Sequence, residues 1–261
     1  MRALRYLLPV AVYRDQAVVI RTIKLGEADR IITLFTKERG RIKAVAKGVR
    51  RTKSKFGARL EPASYVDLQL YEGKSLDVIT QAETIENFGE KLSTDYRKWT
   101  TANSILEAAE RFTENEHEPA LQQFNLLVGA LRALAHETYD ASLILDAYLL
   151  RALSIAGFAP SMANCSICDK QGPHKYFSLV GGGSVCVDCK TSAAATPAAE
   201  TLESAVLRSG PFGVRLRATA LGVASHRAGV FLPPLREAAV DSVFTKPHST
   251  AERTDGWPPV R

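Results

Sequence analysis

Apolar side chains recur at every second position from Ala17 to about Ala82 and at every third or fourth position beyond residue 90, so the chain changes from strands to helices within its first third. The first strand, Ala17 to Lys24, is rich in Val and Ile and ends at Leu25-Gly26-Glu27-Ala28. A second, Arg30 to Thr36, runs to the tight turn Glu38-Arg39-Gly40. In the third, Arg41 to Lys47, Ile42, Ala44 and Ala46 take one face while Arg41, Lys43, Val45 and Lys47 take the other, which makes the outer face basic. A long connection from Gly48 to Ser64 carries Arg50, Arg51, Lys53, Lys55 and Arg59 and shows no apolar period. A hairpin follows: Val66, Leu68 and Leu70 alternate with Tyr65, Asp67, Gln69 and Tyr71, and the turn Glu72-Gly73-Lys74 leads into Leu76 to Thr80. Three meandering strands, a long link and a hairpin match the five-stranded Greek-key barrel of the OB-fold.

In the helical part, Trp99, Ala102, Ile105, Leu106, Ala109 and Phe112 form one apolar face after the capping candidates Ser93 and Thr94. A second helix is expected to open at Glu118-Pro119 and to bury Leu121, Phe124, Leu127 or Val128, Leu131 and Leu134. A third, Ala141 to Ala156, is apolar almost all round, which predicts a central helix packed on several sides and ended by Gly157. Residues 191 to 200 read as a linker. After Gly210 glycine and proline break any period, and poor order is expected.

Cys165 and Cys168 are two residues apart, as are Cys186 and Cys189, and 17 residues lie between the pairs. Each pair can turn two thiolates onto one ion, and two pairs complete a tetrahedron, which is the spacing of a zinc ribbon. Lys175 to Leu179 and Gly183 to Val185 supply the hairpin between the knuckles, and Gly181-Gly182-Gly183 reads as its turn and not as a phosphate loop. Four thiolates leave no open position, so the zinc is structural. His174 lies between the pairs and is a lesser candidate ligand. A redox disulfide needs only one pair, and no βαβ pattern surrounds these. Cysteines so clustered are not a secreted disulfide scaffold, and they point to a reducing compartment.

The net charge of +6 is unevenly spread. Residues 1 to 80 hold 17 basic and 8 acidic side chains, or +9, which leaves 17 basic and 20 acidic, or −3, for the rest. A cationic barrel suits a polyanion, and OB grooves are recurrent single-strand sites. About five contacts to a single strand would give a log-log salt slope near −3.5. Tyr65 and Tyr71 face outward in this register, and Phe35 and Phe56 are further stacking candidates, so charge is expected to outweigh stacking. The five histidines pair with no nucleophile or carboxylate pattern, and no catalytic set is expected. The apolar run Tyr6 to Val12 is broken by Pro9 and is too short for a membrane span. The rival readings are an RNA-binding OB and zinc-ribbon factor in translation or RNA processing, and a protein-interaction adaptor.

Tyr13 to Arg21, Leu25 to Thr36 and Gly40 to Arg50 resemble the RecO family of recombination mediators. Ala147 to Pro160, followed by the four cysteines, resembles that family's helix and zinc-knuckle region. The resemblance covers about 13 to 195. It implies an α+β chain with an OB-fold domain at 13–85, a helical domain at 90–160 and a zinc-binding insertion at 161–192, while an atypical extension at 1–12 and an irregular linker and tail at 193–261 stand outside it. That tail departs from the family pattern and reads like an altered reading frame. The resemblance further implies a non-enzymatic role in bacterial DNA repair by the RecF-type pathway, in the cytoplasm and with the nucleoid. Binding of single-stranded and duplex DNA, annealing of complementary strands, contact with RecR and with the single-strand binding protein's C-terminal tail, and help in loading RecA are the implied activities. It carries DNA contact to Arg14, Arg21, Lys24, Arg30, Arg41, Lys43, Lys47 and Arg50; the charge of the following loop adds Arg51, Lys53 and Lys55.

Overall fold

The structure, a computed structural model, describes residues 12–113, 115–136 and 139–198. Five strands open it: β1 (Val12–Leu25), β2 (Asp29–Thr36), β3 (Gly40–Ala46), β4 (Ser64–Tyr71) and β5 (Asp77–Asn87). They close a barrel in the order β1-β2-β3-β5-β4, with antiparallel pairing except between β3 and β5. A parallel pair cannot be joined by a tight turn, so residues 47–63 and β4 form the crossover. The barrel interior is filled by alternate residues, among them Ala17, Val19, Ile32, Leu34, Ile42, Ala44, Val66, Leu68, Leu70 and Ile79.

The connection after β3 has no apolar period because it is neither strand nor helix, yet it is not merely solvated. Val49, Phe56 and Leu60 drop into the barrel core and stop one end of it. Phe56 is therefore a packing residue and not a stacking partner, with 1% of its surface exposed. Strand β5 runs well past Thr80, to Asn87, because β4 pairs with it along that whole length even where its side chains are polar.

Helices α1 (Phe88–Leu92), α2 (Tyr96–Phe112), α3 (Leu121–His136) and α4 (Ala141–Ile155) follow. The short α1 lies outside any apolar run long enough to reveal it; Phe88 and Leu92, one turn apart, are buried, and the Asn87 side chain accepts the Glu90 amide. The cap of α2 is Asp95, which accepts the Arg97 and Lys98 amides, and not Ser93 or Thr94. A carboxylate there also meets the positive end of the helix dipole. The second long helix begins at Leu121 and not at Pro119, because the preceding segment is committed elsewhere: Glu116 bridges Arg41 of β3, and the His117 amide donates to the Arg41 carbonyl at 2.9 Å.

The helical core reaches onto the outside of the barrel. Val18, Ile20, Phe35 and Tyr65 pack with Ile105, Leu106, Phe124, Leu127 and Leu131. The Phe124 ring meets Phe35 and Tyr65 edge-on, with centroids 5.7 and 6.0 Å away. Tyr65 and Phe35 thus leave the barrel face as expected but are buried under α3. This double burial explains the unbroken buried run Ala17 to Ile20 in β1. In α4 only Ile144, Tyr148 and Ala152 are buried; Leu143 and Ile155 remain 43% and 38% exposed, so among the described residues this helix is packed by α2 and α3 and not surrounded.

A small hairpin, β6 (Tyr176–Ser178) and β7 (Gly183–Val185), separates the cysteine pairs. The expected linker begins by joining it, since Ala195 and Phe177 exchange two backbone hydrogen bonds at 2.8 and 2.9 Å. The expected extension at 1–12, apart from Val12, and the tail from residue 199 lie outside the described residues.

Candidate nucleic-acid interface and metal centre

The basic residues singled out from the sequence do not form one cluster. Several are held by carboxylates. Arg14 pairs with Asp67 at 3.7 Å and Arg30 with Glu61 at 2.7 Å. Glu110 of α2 lies 2.9 Å from Arg21 and 3.7 Å from Arg41, and Glu116 lies 2.6 Å from Lys43. Arg41, whose side chain is only 13% exposed, is a residue of the junction between barrel and helices more than of an open groove. None of these acids could be paired with its cation from the sequence: Glu110 and Glu116 come from the far side of the change in periodicity, and local spacing carries no trace of that contact.

Lys24, Lys47, Arg50, Arg51, Lys53 and Lys55 behave differently. They are exposed, and among the described residues none of them pairs with a carboxylate. The loop that plugs the barrel positions the last four. The Arg50 amide donates to the Ala28 carbonyl at 2.9 Å and its guanidinium to the Gly26 carbonyl at 3.1 Å, and the Lys55 ammonium donates to the Thr80 carbonyl at 2.8 Å. The loop therefore stretches from the β1–β2 turn to β5, with its cations on the solvent side.

Beside this rim lies an apolar belt on the outer barrel surface. Cross-strand pairing sets Ile23 opposite Ile31, Ile31 opposite Val45, Val45 opposite Val78 and Val78 opposite Tyr71. Partners across a ladder point to the same face. The inward neighbours Ile32, Ala44, Ile79 and Leu70 put this row outside, where Ile23 is 46% and Tyr71 37% exposed. Tyr71 keeps the outward position read from the sequence. Val45 likewise keeps the outer face read for it, but Ile23, Ile31 and Val78 were hidden in the sequence, because an outward Ile or Val in a strand looks like any core residue until the register is known.

The four cysteine sulfurs all lie within 4.8 Å of one another, and those of Cys168 and Cys186 are 3.7 Å apart. Sulfurs about 2.3 Å from a common tetrahedral centre stand about 3.8 Å apart, so the four thiols fit a closed metal site. The amides of Cys168 and Cys186 pull the Cys165 thiol down to about 6, while the Cys168 and Cys186 thiols push Cys189 up to about 12. Thiols this crowded compete for one negative charge, and a cation between them removes the conflict. The surrounding apolar core is small, with Val185 buried and Tyr176 and Ala194 against it. His174 is outside the cluster; its Nε2 lies 2.8 Å from the Lys170 carbonyl oxygen.

Among the described residues no helix is long and apolar enough to cross a membrane. A family model described as the N terminal of recombination protein O matches residues 10–88, and one described as its C terminal matches residues 93–214. A DNA repair protein RecO of Streptomyces avermitilis is 52% identical over 199 residues, spanning 74% of this chain and 80% of the relative. One from Nocardioides sp. is 52% identical over 193 residues, 73% of this chain and 79% of the relative. One from Thermobifida fusca is 50% identical over 201 residues, 76% and 83% of the two chains.

Proposed function

The chain belongs to the RecO family, and from that membership we propose that it is a DNA repair protein, a recombination mediator that binds single-stranded DNA on the plugged end of its barrel. The observation that carries the site is the meeting of cations without carboxylate partners with an apolar belt on the outer barrel face, which starts at Ile23 beside the cationic rim and winds round to Tyr71. Phosphates take Lys24, Lys47, Arg50, Arg51, Lys53 and Lys55, and base faces lie on Ile23, Val45 and Tyr71. Contacts of this kind read charge and π-surface, not base edges, so binding tolerates any sequence. Such a surface can hold one strand with its pairing edges free. That supports annealing of complementary strands, and with it a role in exchanging single-strand binding protein for RecA. Contact with RecR and with the binding protein's tail belongs to the same reading, as does action on duplex DNA and a place in the bacterial cytoplasm. No step of this role needs a catalytic residue.

The cysteine cluster is proposed to hold one zinc ion. Cys165, Cys168, Cys186 and Cys189 fill its coordination shell, so it fixes the hairpin and takes no part in chemistry.

The test is fluorescence anisotropy on a labelled oligothymidylate across a salt series. K47E/R51E/K53E should weaken binding at least tenfold at moderate salt and flatten the log-log slope by about 2, three lost contacts at roughly 0.7 each. R14Q/R30Q, which removes carboxylate-paired cations, should change little. Equal effects of the two variants would reject the site, and a tighter hold on an RNA competitor would favour an RNA-binding role instead.

A further inference from the structure

Glu110 and Glu116 come from the helical domain, yet both sit on cations of the barrel. Pairing across the sheet puts Arg21 and Lys43 on either side of Thr33, in the row next to Ile23, Ile31 and Val45, with Arg41 two residues farther along β3. Arg21 and Lys43 thus directly extend the apolar belt, on the side away from the plugged end. They are partly open to solvent, at 52% and 39%, and Glu116 is 36% exposed. A groove of about 290 Å3, whose lining mixes Arg39, Lys43 and Lys74 with Glu72, Asp77 and Glu116, runs past the second pair.

The carboxylates do not arrive by chance excursions of long side chains. The segment carrying Glu116 is laid on β3 by the bond from the His117 amide to the Arg41 carbonyl. It approaches so closely that a Cβ on Gly40 would stand 1.8 Å from the Glu118 carbonyl oxygen. Glu110 is fixed on α2, whose buried Ala109 and Leu106 pack in the core shared with the barrel. Exposed pairs of this sort add little to stability. Their larger consequence is on binding, because a cation already neutralised by a carboxylate 2.6 Å away, as Lys43 is, has little left to gain from a phosphate.

We propose that Glu110 and Glu116 stand in for backbone phosphates, occupying Arg21, Arg41 and Lys43 so that a DNA strand can spread from the plugged end onto the outer face of β1 to β3 only by displacing them. This rests on the DNA-binding reading above and deepens it: the helical domain sets the length of the footprint and caps the affinity. A short strand is held by the rim alone. A longer one, or one at high local concentration, must open the two carboxylate contacts and then gains Arg21 and Lys43, the two solvent-accessible cations beneath.

The full-length chain is compared with E110Q/E116Q and with E83Q/E90Q, which changes net charge equally at two exposed acids that form no ion pair among the described residues. Binding of oligothymidylates of several lengths is followed through a salt series, and folding is checked by circular dichroism. E110Q/E116Q should bind long strands about tenfold tighter than the control variant and steepen the log-log salt slope by about 1.4, two added contacts at roughly 0.7 each. Short strands should gain little. E116Q alone leaves the contacts of Glu110 intact and serves if the double variant does not fold; its gain should vanish on adding K43Q, which by itself should cost little. Equal affinities for the two double variants, or a gain from E116Q that survives K43Q, would overturn the proposal. If neither wild type nor E110Q/E116Q binds DNA at any salt, the underlying DNA-binding role is what fails. Binding by E110Q/E116Q with none by wild type would overturn the proposal as stated, because the rim should hold short strands with both carboxylates in place.

Discussion

At the residue scale, single side chains tie the barrel to the helices, and their charges make that junction sensitive to acid. Glu86, near the end of β5, lies 2.6 Å from His136 and 3.1 Å from Arg132 of α3. Burial works to raise its carboxyl, but the bonds from His136 and Arg132 outweigh burial and hold it below the ordinary value of 4.5. A carboxylate with a depressed folded value contributes stability that is fully present above the unfolded value and is lost as pH falls through the folded one. E86Q should therefore cost about 1 kcal/mol at neutral pH, the scale of a pair that stands partly in water. Melting curves of both proteins should converge as the pH is lowered below about 4.5. A gap that stays constant down the acid range would show that shape and not charge matters there. None of this was legible in the sequence, where Glu86 and His136 are an acid on a strand and a base at a helix end, 50 positions apart.

At the element scale, what the sequence reveals depends on how local the cause is. The turn at Gly40 is local: its φ is +68°, which glycine adopts freely. The cysteine spacing is likewise a local signal, since two residues between thiols dictate a knuckle wherever it lies in the fold. The hairpin between the knuckles was read correctly to within a residue for the same reason. Helix starts were read less well. Asp95 caps α2, and α3 starts at Leu121 and not at Glu118-Pro119, because the residues just before it, Glu116 and His117, are held on β3. The knuckle element carries its own prediction. Stripping the metal with a chelator, or substituting C186S, should release about one zinc per chain and remove the protection of the β6–β7 amides from hydrogen exchange. Helix and barrel amides should keep most of theirs. A protein isolated without zinc, with those amides already protected, would contradict a metal-dependent hairpin.

At the scale of the whole molecule, the barrel and the helices are joined by an apolar seam as well as by ion pairs. Phe124, 1% exposed, lies between Phe35 and Tyr65 at its centre. F124A should cost about 3 to 5 kcal/mol in denaturant unfolding, the loss of a buried aromatic with the cavity it leaves. A loss below about 1 kcal/mol would mean that the two parts do not stabilise each other.

The barrel, the three long helices, the cysteine cluster and the positive N-terminal end were determined by the sequence alone, because alternation, spacing and local charge act between near neighbours. Which cations face solvent, which aromatics lie under α3 and that Ile23, Ile31 and Val78 join Val45 in one outer belt were decided only by tertiary structure. A side chain's charge is written in its own letter. Its freedom to meet a phosphate depends on whether Glu61, Asp67, Glu110 or Glu116 is folded onto it, and that contact forms between positions with no local relation.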